Sequence, residues 1–130
     1  MKKGILAILC LTSLALSAEP EAKEGLRDIT VAEAVSTIES NKELVLIDVR
    51  TPEEFAEGHL AGAQNIDVKG KEFETKLAKL DRTKSYLMHC RSGARGVRAM
   101  AAFKKLGFKN VLHMKDGYLG WTKGKQAVVK

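Results

Sequence analysis

The stretch SYLMHCRSGARGVR, Ser85 to Arg98, decides how the chain reads. Tyr86, Leu87 and Met88 are apolar and bounded by polar residues, which predicts a short buried strand. The apolar run stops at Cys90. Arg91, Ser92, Gly93, Ala94 and Arg95 then form a small polar turn. From Gly96 onward Val97, Met100, Ala101 and Leu106 recur at helical spacing. The element therefore reads strand, tight loop, helix, with a thiol at the mouth of the loop. A loop that opens a helix presents unpaired N–H groups and the positive end of the helix dipole, which is an anion cradle. A cysteine held there has a lowered pKa, and the thiolate is the reactive form. Arg91, Arg95 and Arg98 add positive charge nearby. The alternative is a buried, inert cysteine beside a basic surface turn.

On either side of this stretch, strand and helix signals alternate. Leu26–Ile29 reads as a short edge strand. Thr30 caps a helix with Glu33 at the capping-box position, and Val31, Ala34, Val35 and Ile38 give it one apolar face before Asn41. Leu44–Ile47 is a continuous apolar run, typical of a strand buried on both faces of a parallel sheet. It leads into Asp48 and Arg50, which alternate to the same side at the end where open α/β sheets place their sites. Thr51 and Pro52 start another helix, which Gly58 ends. Ile66 and Val68 predict a short strand, and Phe73, Leu77 and Leu80 a helix over about 71–80. Gly107 and Phe108, packing back on Phe103, predict a Schellman cap. Val111–Met114 is a last strand, and residues 116–121 turn into a short closing helix. Such alternation predicts an α/β domain with a mainly parallel sheet of about five strands flanked by helices.

The chain has 130 residues, enough for one domain, and an apolar fraction of 45%. Residues 1–18 differ from the rest. Lys2 and Lys3 precede a nearly unbroken apolar run from Ile5 to Leu16, too short to span a bilayer comfortably, with small residues at Ala15, Ser17 and Ala18. This predicts a secretory signal peptide, residues 19–25 as a flexible leader, a domain over 26–123 and a solvated tail over 124–130. Cys10 follows Leu9 inside the apolar run, which argues against lipidation. Cleavage would lower the net charge from +6 to +4 and leave Cys90 as the lone thiol of a periplasmic protein without stable membrane association. The basic residues are mixed with acids and lack aromatic interleaving, so no nucleic-acid partner is expected. One thiol and three scattered histidines show no ligand spacing, so neither a metal nor a cofactor is expected.

Asp48-Val49-Arg50, then Glu54-Phe55 leading to Gly58-His59-Leu60-Ala61-Gly62-Ala63 and Asn65-Ile66, then Cys90 to Arg95 stand in one order and spacing. That combination resembles the rhodanese family, in particular its single-domain thiosulfate sulfurtransferases, over about residues 26–123. The resemblance implies a three-layer rhodanese-like fold. It also implies a Cys90 thiol that takes sulfane sulfur from a small anionic donor such as thiosulfate and passes it to cyanide, a thiol or a protein acceptor. In that frame the backbone of Arg91, Ser92, Gly93, Ala94 and Arg95 cradles the anion. Arg95 orients it, Arg91 steers at the rim and Ser92 donates to the sulfur. Asp48 and Arg50 brace the strand end, with a direct substrate role for Arg50 as the alternative. Asp67 stands where the family often has proline, and Asp116-Gly117-Tyr118 replaces a commoner Gly-Gly turn. Neither departure is expected to touch the catalytic loop.

His89 neighbours Cys90 in a strand, so its side chain points away, and it reads as a satisfied core histidine. His59 reads as a loop anchor, Trp121 and Phe55 as core, and His113 carries no signal. Two rival functions remain. A thiol phosphatase or arsenate reductase also uses a Cys-to-Arg cradle, but with one more residue than the four here; the fifth position, Gly96, has no side chain. A partner-binding module, non-catalytic or carrying a persulfide, would more often show Asp or Ser in place of Cys90 if it were inert.

Overall fold

The computed structural model describes residues 25–130. The proposed signal peptide and most of the leader lie outside the described residues. The elements alternate along the chain: β1 (Gly25–Ile29), α1 (Val31–Ser40), β2 (Val45–Asp48), α2 (Pro52–Glu57), β3 (Gln64–Asn65), α3 (Phe73–Ala78), β4 (Ser85–His89), α4 (Ala94–Lys105), β5 (Asn110–Met114) and α5 (Gly117–Lys123). The strands form one five-stranded sheet in the order β1-β5-β4-β2-β3, with every pairing parallel. The sequence reading of an α/β fold with a parallel sheet of about five strands is the architecture found.

The period of two along each strand divides the core between the faces. Ile47, Tyr86, Met88 and Val111 pack with Phe73 and Leu77 of α3 and with Ala99, Ala102 and Phe103 of α4. Leu46, Leu87, Leu112 and Met114 pack with Ala34 of α1 and Trp121 of α5. The result is three layers, helices on both faces of the sheet, as doubly covered parallel sheets require. Both N-caps read from sequence form complete capping boxes, Thr30 with Glu33 and Thr51 with Glu54. The Schellman cap also forms: Phe108 N–H donates to Phe103 O at 3.1 Å, and the two rings meet edge to face at 4.8 Å.

Some local expectations are corrected. The short third strand lies at Gln64–Asn65, not at Ile66 and Val68. Those two are buried just beyond it, where their N–H groups reach Asp48 O and Val49 O. Helix α4 starts at Ala94, inside the expected loop, and its buried face is Gly96, Ala99, Ala102 and Phe103. Val97 is 68% exposed. Small residues line the closest side because α4 lies near the sheet; of the apolar stripe read from sequence, Met100 and Leu106 pack against the core while Val97 and Ala101 face out. Phe55 is half-buried and stacks on His59 at 3.8 Å instead of joining the core. The tail after α5 is exposed but returns to the domain. His59 and Val129 exchange both backbone hydrogen bonds, at 2.9 and 2.8 Å, and Ala127 O accepts from Trp121 Nε1. Among the described residues no helix is long and apolar enough to cross a membrane.

Candidate active site around Cys90

Cys90 directly follows β4, the central strand of the sheet, and is only 1% exposed. The next three residues make the turn, and α4 follows with no side-chain cap on its first turn. Its free N–H groups need an acceptor. The thiol sulfur is that acceptor. Gly93 N–H points to Cys90 Sγ at 3.0 Å, and the N–H groups of Ser92 and Gly96 also act on it. The cradle thus includes Gly96, one residue past the predicted 91–95 span. Ser92 takes part through its backbone. Gly93 is left-handed at φ +109°, and a side chain there would lie 2.5 Å from Lys115 O. Glycine is required at this turn on both counts.

Burial alone pushes the Cys90 thiol up; the His113 ring and the three N–H groups outweigh it and bring the thiol down to about 7. The reactive thiolate is therefore favoured at neutral pH relative to an ordinary cysteine. Arg91 is exposed at the rim, as expected, and so are Ser92 and Ala94.

The far side of the loop is fastened by α5. Cys90 O accepts from Tyr118 N–H at 2.8 Å, and Arg91 O from Leu119 N–H at 3.0 Å. Gly117, at φ +64°, lies so close to both carbonyls that a Cβ would collide with them. The Asp116-Gly117-Tyr118 turn therefore does touch the catalytic loop, contrary to expectation. Asp67 also bears on the site, since its charge acts on Arg95.

Arg95 sits beside the loop, and its charge acts on Cys90. Its guanidinium is engaged by Glu54 in a bidentate pair at 2.6 and 2.9 Å. That pair holds the Glu54 carboxyl down at about 2. Glu54 also completes the α2 capping box, so α2 and α4 are tied together at the mouth of the site. In the sequence Glu54 stands only in the Glu54-Phe55 motif; its pairing with Arg95, 41 residues away, needs the folded chain.

Asp48 and Arg50 form the brace that their alternation predicts. Arg50 Nε and Nη2 reach both carboxylate oxygens at 2.7 to 3.1 Å, and Nη2 also donates to Gly58 O at 2.7 Å. The guanidinium lies 3.9 Å from the Tyr118 ring centroid. One buried cation thus joins the end of β2, the end of α2 and the start of α5. A Cβ at Gly58 would meet Tyr118 Oη at 2.5 Å, so a side chain there would push the Tyr118 ring tip aside. His59 anchors its loop as read, through Nδ1 on Phe55 O at 2.9 Å.

The two remaining histidines divide by face. His89 points to the side opposite Cys90 and places Nδ1 2.9 Å from Cys90 O. Burial pushes its pKa down, so it stays neutral. His113 is the functional group that sequence reasoning missed. The β4–β5 register sets it opposite Met88, so it shares a face with Cys90, two residues further on. Its Nδ1 lies 2.9 Å from Asp28 Oδ1 of β1, its own register partner. Its Nε2 is buried, makes no hydrogen bond of regular geometry, and fills the space over Gly96 that a Cβ would need. Position at the sheet's carboxyl edge was the available clue, but only the strand order reveals it.

The rhodanese-like domain family matches residues 30–124. MoeZ of Mycobacterium tuberculosis, named as an adenylyltransferase/sulfurtransferase, is 37% identical over 98 residues, covering 75% of this chain. The chain spans a quarter of the length of MoeZ. YtwF of Bacillus subtilis, which carries a sulfurtransferase name, is 34% identical over 96 residues, covering 74% of this chain and 90% of its own. Among solved structures, a rhodanese-related protein from Thermoplasma volcanium superposes with a TM-score of 0.70 at 30% identity, over 79% of this chain and 97% of its own.

Proposed function

We propose, for a chain that belongs to the rhodanese-like domain family, that it moves sulfane sulfur from thiosulfate or a similar anionic donor to a thiol or cyanide, through a persulfide on Cys90. Two of its sequence relatives, MoeZ and YtwF, carry sulfurtransferase names. The observation that carries the finer reading is the thiol itself: a lone cysteine among the described residues, held at about 7 by backbone N–H groups and the His113 ring.

The chemistry follows from that environment. The Cys90 thiolate attacks the outer sulfur of thiosulfate, an S–S bond forms, and sulfite leaves with the electron pair of the broken bond. The persulfide's terminal sulfur is negative, and the cradle that stabilised the thiolate is built to stabilise it too. An acceptor thiolate then attacks that sulfur and regenerates the Cys90 thiolate. Two displacements replace one difficult transfer. Arg95 supplies positive charge to the donor anion, from a guanidinium already aligned by Glu54.

With thiosulfate and cyanide the protein is expected to release thiocyanate, and Cys90→Ser is expected to release none; equal rates would remove Cys90 from the reaction. Arg95→Ala is expected to raise KM for thiosulfate, and an unchanged KM would move anion binding elsewhere. The same proposal sets the activity in the periplasm, from the apolar run in residues 1–18. Expression of the full chain followed by cell fractionation and N-terminal sequencing tests that. A cytoplasmic protein with Met1 intact would contradict it.

A further inference from the structure

We propose that His113 and Asp28 form a dyad that takes the proton from Cys90 and holds the resulting thiolate as an ion pair. The inference rests on the reading of Cys90 as the sulfur-accepting nucleophile. It assigns proton transfer to His113 and a positioning role to Asp28, two residues outside the loop.

Three observations carry it. First, register places all three side chains on one face of the sheet: Asp28 lies opposite His113, and His113 lies opposite Met88, two residues before Cys90 on the same face. Second, the Asp28 carboxylate can only accept, so His113 Nδ1 must donate to it across 2.9 Å. In the neutral ring Nε2 is then the bare acceptor, and that is the nitrogen on the Cys90 side. Third, Nε2 is buried, has no other partner, and occupies space that only a glycine at position 96 leaves open. A buried polar nitrogen without a partner is costly, and the Cys90 thiol, whose hydrogen bonding acts on this ring, is its natural partner.

The step balances simply. The Cys90 S–H bond breaks, its proton passes to His113 Nε2, and the electron pair stays on Sγ. The imidazolium then keeps both protons, one turned to Asp28 and one to the sulfur. It persists through both displacements because the site carries one negative sulfur throughout. The charged and titratable groups around the ring are Asp28 from β1, Cys90 at the end of β4 and His89 within β4. Arg95 of α4 acts on the same sulfur. Burial lowers the His113 pKa, and the thiol and Asp28 together outweigh it and raise it. The thiol shifts the opposite way, as a shared proton requires.

The test uses the whole chain and reads the thiol directly. The rate of Cys90 alkylation by iodoacetamide is followed against pH in the wild type, His113→Asn and Asp28→Asn. Both variants are expected to move the profile to higher pH, with His113→Asn roughly tenfold slower at pH 7 and Asp28→Asn shifted less. Asp28 has an exposed side chain, so its replacement keeps the fold and decides the question alone if His113→Asn does not fold. An unshifted Asp28→Asn profile, or an unshifted profile in a folded His113→Asn, overturns the dyad. If both profiles shift while wild-type protein takes no sulfur from thiosulfate, the dyad stands and the sulfur-transfer reading falls.

Discussion

At the scale of single residues, the site is a set of charges held by partners distant in sequence. Asp48 and Arg50 are both almost fully buried, each satisfied chiefly by the other. Asp48→Ala leaves Arg50 as an uncompensated buried cation, with a cost of about 3–5 kcal/mol by urea denaturation. Glu54 makes a pH-dependent contribution. Its carboxyl sits at about 2 in the folded protein against an ordinary 4.5. A depressed carboxylate stabilises the folded state fully above its unfolded value, and that stability is lost as pH falls from about 4.5 toward 2. Glu54→Gln is therefore expected to be less stable at pH 7 and to show a flatter acid limb. Acid denaturation curves that coincide for the two proteins would mean the Arg95 pair contributes nothing. The residue that sequence reading passed over, His113, shows why such roles escape notice. Its neighbours, Asp28 and Cys90, come from separate strands, and no local motif marks the encounter.

Among the elements, the β4–α4 junction matters most. The turn needs a left-handed Gly93, a Gly96 beneath the His113 ring and a Gly117 against the loop carbonyls. Gly96→Ala makes the point measurable. Helix propensity alone predicts a gain of about 1 kcal/mol. The added methyl would collide with His113 Nε2, so a loss of stability is expected, with slower Cys90 alkylation at pH 7. A more stable variant with an unchanged thiol would show that the ring moves aside freely. Much at this scale was legible beforehand. The caps at Thr30 and Thr51 and the Gly107–Phe108 stop follow from local hydrogen-bond chemistry, and they formed as read. The buried face of α4 was legible only at its flank, through Met100 and Leu106. Its contact side is built from Gly96, Ala99 and Ala102, and close packing, not hydrophobicity, selects such residues.

Across the whole molecule, the sheet order decides which chemistry is possible. β4 lies at the centre, so Cys90 emerges between β5, which brings His113, and β2, which brings the Asp48–Arg50 brace. The fold class was readable from alternating strand and helix signals, and the thiol from its place after an apolar run. The joining of α2 to α4 through Glu54 and Arg95, and of the loop to α5 through Tyr118 and Leu119, was not, because those contacts exist only after the sheet assembles. In the proposed reaction Cys90 carries the sulfur in transit. Intact-protein and peptide mass spectrometry after thiosulfate treatment, with Cys90→Ser alongside, tests it most directly. One added sulfur is expected, located on Cys90, removed by cyanide and absent from the variant. An unmodified Cys90 under conditions that release thiocyanate would contradict it.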